Sequence, residues 1–285
     1  MARTEVRSLR QKAMKRILAI HDLSGWGHTS LLACIPIMYS RGLQVAVLPS
    51  CILSTNTDYP GYRLLDLSSQ MQDSIAHWKE LNVSFDAIYS GFLSGPKQCQ
   101  MIQEAIRAFA AVGAPVLIDP VMADAGKLYS CYDYRMVEAM RSLLPFADII
   151  TPNLSEAALL LGEAYDPGIS PEQAYDYCHR LQKLGAKAVL ITSACRPKDG
   201  WTATLGLDST GTRIYQESHY LPSDCPGAGD VFASVLLASY LEGKALAVCV
   251  EEAADFVYRG IRLSLQEGGD PASGMPLELL IKYSE

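Results

Sequence analysis

The stretch SDCPGAGDVFASVLLASYLEG, residues 223–243, sets two glycines and an aspartate directly ahead of a long apolar run. A helix that needs only a start uses Ser, Thr, Asp or Asn as its cap. Gly227 and Gly229, one residue apart, instead let the backbone turn tightly and approach another group closely. With Ala228 opening the helix, the amides of residues 227–230 point outward at its positive end, which is a site for an anion. Asp230 then stands in the first turn beside that anion. A carboxylate there can take a proton from an attacking hydroxyl, as in phosphoryl transfer. An acidic residue that only offsets the helix dipole gives the same local pattern, so both readings stay open at this point.

Upstream of this stretch, short apolar runs alternate with helical patterns. RILAIH (16–21), QVAVLPS (44–50), FDAIYS (85–90), PVLIDP (115–120), ADIITPN (147–153) and AVLITS (188–193) read as strands. They are apolar nearly throughout rather than alternating, as strands buried on both faces of a parallel sheet are. Helical spacing falls at 29–41, 64–81, 96–112 and 132–146, followed by two helices after residue 153. The second of these is announced by Ser170, Pro171 and Gln173, a cap, a first-turn proline and a capping-box partner. The rhythm then changes to a strand pair, 202–207 and 211–218, before the glycine turn, a helix to about 241 and a last one over 245–266. The pattern predicts one three-layer α/β domain over residues 14–285, a mostly parallel central sheet with helices on both faces. Residues 1–13, basic and polar, read as a flexible extension.

Bulk properties narrow the function. The chain has 285 residues, 49% of them hydrophobic, and 24 basic against 31 acidic side chains, a net charge of −7. This balance speaks against nucleic acid and anionic membranes as partners. No apolar run approaches the ~18 residues of a membrane span. The eight cysteines form no CxxC pair and the five histidines no HExxH. Free thiols in a reducing cytoplasm follow, rather than a disulfide framework or a zinc site.

The polar groups cluster at strand ends, where parallel sheets bind ligands. Asp22 follows the first strand, Thr57 the second, Phe92 the third, Asp119 and Asp124 the fourth, Asn153 and Glu156 the fifth, and Thr192 with Ser193 the sixth. Asn153 and Glu156 have capping-box spacing; they could equally face magnesium bound to phosphate, since that ion takes oxygen ligands and keeps several waters. Asp119 and Asp124 would repel each other unless a cation lies between them. Trp26 and Phe92 sit where a flat ring could stack. Gly25-x-Gly27 lacks the third glycine of a dinucleotide fingerprint, Ser30 standing there, and no GxxxxGK[ST] occurs.

These motifs together carry a resemblance. DCPGAGDVF (224–232) resembles the C-terminal signature of the ribokinase-like superfamily. The span 15–266 resembles the pyridoxal/pyridoxamine kinases through GH (27–28), LSTNTDY (53–59), SGFLSG (90–95), DPVMAD (119–124), ITPNLSEAALL (150–160) and ITS (191–193). The resemblance implies a ribokinase-like fold and transfer of phosphate from ATP to the hydroxymethyl group of a B6 vitamin. It implies Asp230 as the base and Gly227, Ala228 and Gly229 as the anion hole. It implies Asp22, Thr57 and Phe92 at the vitamin, and Asn153, Glu156, Thr192, Ser193 and Leu221 at ATP. Asp119, Asp124 and Glu156 fall to magnesium, with a monovalent cation such as potassium beside the triphosphate. A homodimer in the cytoplasm, and a flap near 125–130, also follow from it. Two departures bear on the substrate. Asp22 stands where many pyridoxal kinases carry Ser, and DLSG (22–25) is closer to the DPSGG loop of hydroxymethylpyrimidine kinases. Ala228 is closer to the sugar-kinase form. A sugar kinase would need an early Gly-Gly segment that is absent here, and the pyrimidine kinases typically lack an aspartate at the place of Asp230. A binder that stores a vitamin or nucleotide without catalysis would have no need of that aspartate.

Overall fold

A computed structural model describes residues 14–196, 198–268 and 270–282. The expected extension over residues 1–13 lies outside them. The strands are β1 Arg16–Ser24, β2 Gln44–Leu53, β3 Leu64–Asp66, β4 Ala87–Ser90, β5 Val116–Ile118, β6 Ala123–Asp124, β7 Lys127–Leu128, β8 Ile149–Ile150, β9 Ala188–Cys195, β10 Trp201–Leu207 and β11 Arg213–His219. The α-helices are α1 Ser30–Ser40, α2 Ser68–Glu80, α3 Pro96–Phe109, α4 Tyr134–Arg141, α5 Leu154–Leu161, α6 Pro171–Lys183, α7 Ala228–Leu241, α8 Leu246–Glu267 and α9 Leu277–Lys282.

Nine strands form one sheet in the order β11-β10-β9-β8-β5-β4-β1-β2-β3. The strands from β9 to β2 in that order are parallel, and β3, β10 and β11 join antiparallel at the two edges. The central strands read as continuous apolar runs because each buries both faces. In β1, Ile17 and Ala19 pack with α1, α7 and α8, while Leu18 and Ile20 pack against the opposite core with α2 and α3. Successive side chains of a strand point to opposite faces, so a buried central strand must be apolar at every position.

Three local expectations shift. Residues 64–66 form an edge strand paired with Cys51–Leu53 instead of opening the helix. The Ser68 amide donates to Asp66 Oδ1 at 2.9 Å, and α2 starts only at Ser68. The helix expected over 132–146 ends at Arg141 and resumes as a 3-10 turn at Leu144–Phe146, where Pro145 removes a backbone donor. Residues 123–128, which overlap the flap expected near 125–130, form the hairpin β6–β7, turned by Ala125 and Gly126 at positive φ. The cap over Ser170 and Gln173, with Pro171 in the first turn, is as expected.

Candidate active site

The glycine turn begins α7. Gly227 is its N-cap at φ 81°, ψ 1°, a left-handed conformation. A Cβ there would lie 2.7 Å from the His28 carbonyl oxygen, so neither the backbone nor the space admits a side chain. No side chain caps this helix. The Ala228 amide is turned to the Cys225 carbonyl at 3.3 Å, which removes it from the outward donors expected of residues 227–230.

Asp230 occupies the third helical position and is buried. Its Oδ2 accepts from the Ser30 amide at 2.7 Å, and its Oδ1 accepts from His21 Nε2 at 2.9 Å. Ser30 can aim that amide because it opens α1 at φ 56°. Burial works against the Asp230 charge, but the His21 ring and the two hydrogen bonds prevail and hold the carboxyl below its ordinary range. Burial likewise opposes the His21 charge, and the carboxylates of Asp230 and Asp22 overcome it, pushing the imidazole up to about 10. The ring lies between the two carboxylates, Nδ1 at Asp22 and Nε2 at Asp230, and the Asp22 and Phe92 amides also point at it, the Asp22 amide at 3.0 Å from Nδ1 and the Phe92 amide at 3.3 Å from the same nitrogen.

Two cavities meet at this helix tip. The smaller, about 470 Å³, is lined by Asp22, Thr57, Phe92, Tyr129, Gly227 and Asp230 among others. The larger, about 1150 Å³, is lined by Asp124, Thr192, Ser193, Leu221, Ala228 and Gly229 among others. The turn is thus a shared wall, with the carboxylate on one side and Gly229 on the other. Phe92 and Tyr129 give the small cavity flat apolar surface, and Phe92 is braced by Tyr132 with ring centres 5.5 Å apart. Asp22 reaches the same cavity, yet its Oδ1 meets His21 Nδ1 at 2.9 Å and its Oδ2 accepts from Ser24 Oγ at 2.8 Å. Trp26 is exposed and donates from Nε1 to the Tyr59 hydroxyl at 3.2 Å, outside the cavity lining.

Asn153, Glu156 and Asp119 line neither cavity. Asn153 and Glu156 close a capping box at the start of α5: Asn153 Oδ1 accepts from the Glu156 amide, and Glu156 Oε2 accepts from the Asn153 amide, both at 2.9 Å. Glu156 Oε1 also accepts from the Met122 amide at 3.0 Å, and Asn153 Nδ2 donates to the Ala123 carbonyl at 2.8 Å. These bonds tie α5 to β6, and a β-bridge joins Asn153 to Thr192 on the wall of the larger cavity. Burial and then the Asp230 carboxylate push Asp119 up to about 7; burial and then Asp119 push Glu156 well above the carboxylate range. Asp119 Oδ2 lies 3.7 Å from where a Cβ on Gly229 would be. Among the described residues, no group of three His, Cys, Asp or Glu side chains converges as a ready metal cage. Asp124 is exposed while Asp119 and Glu156 are buried.

A family model described as phosphomethylpyrimidine kinase matches residues 59–273. The chain belongs to the phosphomethylpyrimidine kinase family. Its fold is the ribokinase-like one. A Bacteroides thetaiotaomicron protein, provisionally assigned to the same family and crystallised with pyridoxal, superposes with a TM-score of 0.91 at 39% identity, over 94% of this chain and 95% of that one. The pyridoxal kinase of Lactobacillus plantarum gives a TM-score of 0.86 at 29% identity, over 95% and 96%. A pyridoxal kinase of Leifsonia xyli is 28% identical over 265 residues, 89% of this chain and 90% of its own.

The match to the phosphomethylpyrimidine kinase family covers the turn at 227–230 but begins after β2, so it leaves out His21, Asp22 and Ser30. His21 and Ser30 are also what sequence reasoning missed. The available signal was His21-Asp22 following directly on the apolar run 17–20, since a histidine buried in a central strand must find partners for both nitrogens.

Proposed function

We propose that this protein is an ATP-dependent kinase for the 5′-hydroxymethyl group of pyridoxal, pyridoxine or pyridoxamine. The observation that carries this reading is the ionised, buried Asp230 on the wall between a small aromatic-lined cavity and a larger one. The vitamin occupies the small cavity, lined by Asp22, Thr57 and Phe92. ATP occupies the larger one, beside Thr192, Ser193 and Leu221, with Asn153 behind Thr192. The hydroxyl O–H bond breaks and its proton goes to the Asp230 carboxylate. The oxygen forms a bond to the γ-phosphorus, and the bond from γ-phosphorus to the bridging oxygen breaks with its electron pair leaving on ADP. The Gly227 turn and the uncapped first turn of α7 stabilise the charge on the transferring group.

Magnesium belongs to this reading through oxygen donors near the helix tip: Asp124 lines the larger cavity, and buried Asp119 lies behind Gly229 on its wall. Asp119 and Asp124 would hold it through oxygen atoms, with Glu156 adding charge from behind its capping bonds; triphosphate oxygens and water would complete the set. When bound, magnesium supplies charge neutralisation for the triphosphate. A potassium ion beside the phosphates belongs to the same reading. So do a cytoplasmic setting, which suits eight free cysteines, and a homodimer, for which the exposed Leu64 and Leu65 on edge strand β3 offer an apolar surface. No described helix is long and apolar enough to cross a membrane.

A coupled assay of ADP release with pyridoxal, pyridoxine, pyridoxamine, hydroxymethylpyrimidine and ribose tests the proposal. Turnover is expected to be fastest with a B6 vitamin. The second reading, a hydroxymethylpyrimidine kinase, is favoured by the family match and by DLSG at 22–25. Turnover confined to hydroxymethylpyrimidine would replace the first reading with the second.

A further inference from the structure

We infer that His21 is a positioning residue for the reaction: braced from behind by Asp22, it holds the Asp230 carboxylate in place and keeps it ionised. This rests on the reading of Asp230 as the base, and adds the group that makes it one.

The geometry is a linear chain. Ser24 Oγ donates to Asp22 Oδ2 at 2.8 Å, Asp22 Oδ1 meets His21 Nδ1 at 2.9 Å, and His21 Nε2 donates to Asp230 Oδ1 at 2.9 Å. His21 and Asp22 are each 1% exposed, so water has little access to the bond between them. The protein also keeps space for the ring. A Cβ on Gly91, just past β4, would fall 2.0 Å from His21 Nε2, so any larger residue there would displace the imidazole from Asp230. Asp230 is one of four buried carboxylates gathered at this edge of the sheet among the described residues, with Asp22, Asp119 and Glu156. Without a cation among them, burial and mutual repulsion would favour a protonated Asp230, which cannot take a proton from the substrate. His21 supplies that cation from inside the fold, before any nucleotide binds.

The groups facing the ring come from several elements. The Asp22 side chain and amide lie on its own strand, β1, the Phe92 amide follows β4, and Asp230 comes from α7. The Tyr89 ring of β4 stands edge-on at 5.8 Å. Asp119, past β5, feels the His21 charge and is lowered by it.

The test is the pH dependence of kcat in His21→Gln, which keeps an amide donor of similar reach but removes the charge. In the wild type, Asp230 is ionised from below its ordinary range upward, so the acid limb of the profile lies low. In His21→Gln the acid limb is expected to move up by about 1–3 pH units, as loss of a close opposite charge implies. Much of the lost kcat should return at alkaline pH, and KM for ATP should change little because His21 does not line the nucleotide cavity. A uniform fall in kcat with the limb unmoved would reduce His21 to a packing residue and overturn the inference. Nitrogen-15 NMR of the wild-type protein tests the chain without a variant. One of the five histidines should keep both ring N–H groups beyond about pH 9, as a cation between two carboxylates does. If all five lose a proton below about pH 8, the bridge does not exist. The underlying reading fails separately, through Asp230→Asn: if that variant keeps turnover, Asp230 is not the base, whatever His21 does.

Discussion

Helices α5 and α7 both begin at the carboxyl edge of the sheet, and both carry an acid at the third position, yet they use it in opposite ways. At α5 the acid turns inward. Glu156 accepts from the Asn153 amide while Asn153 accepts from the Glu156 amide, so the helix start closes on itself. At α7 the cap is a glycine with no side chain to offer, and Asp230 turns away from its own helix to Ser30 and His21. The first start satisfies its own amides; the second leaves its tip to a ligand. An acid at the third position is therefore no guide to function until the cap residue is read with it. Asn followed by Glu describes a closed box, and Gly followed by Asp describes an open one.

The strongest way to break this contrast is Asp230→Asn. Removing a general base is expected to lower turnover by about 10²–10⁴-fold, with ATP still bound, measured by ADP release and by nucleotide titration. Normal turnover in that variant would end the distinction between the two helices. Next comes Gly227→Ala, which forces an L side chain into a left-handed turn and against the His28 carbonyl. The shifted tip should cost turnover about tenfold to a hundredfold, since small misplacements of reacting groups are that expensive. Thermal denaturation should also report roughly 1–2 kcal/mol of lost stability for the forced conformation. A fully active Gly227→Ala protein would show that the open tip is not what binds phosphate. The smallest effect belongs to Asn153→Ala. Loss of the cap should lower stability by about 1 kcal/mol, read from denaturant midpoints, with a smaller loss of turnover than in Gly227→Ala. A larger loss of turnover than Gly227→Ala would place Asn153 at the nucleotide rather than in the frame of α5.

Much of the fold was legible because its signals are local. Ser170, Pro171 and Gln173 announce α6 within four residues, and Gly227 with Gly229 mark the turn before α7. The continuous apolar runs of β1 and β4 identify central strands without reference to any partner. Leu64, Leu65 and Asp66 carry the spacing of the helix that follows them, yet form a strand. Their strand state comes from pairing with Cys51–Leu53, which residues 64–66 do not encode. The site was legible in the same uneven way. Gly227, Gly229 and Asp230 stand together in the chain, as do Thr192 and Ser193, and the structure brings each set to a cavity wall. His21 was visible only as a polar residue at a strand end.

The sequence by itself determined the layered α/β architecture, the open helix tip and the aspartate beside it. Each is written in hydrogen-bonding needs and side-chain periods that act over a few residues. Tertiary structure alone decided that Asp230 would meet His21, 209 positions away, and that Gly91 would leave room for the His21 ring. Periodicity states which face of a strand is buried. Which buried polar group then pairs with which depends on strand order, and in this sheet β1 lies between β4 and β2, so no local pattern contains that answer.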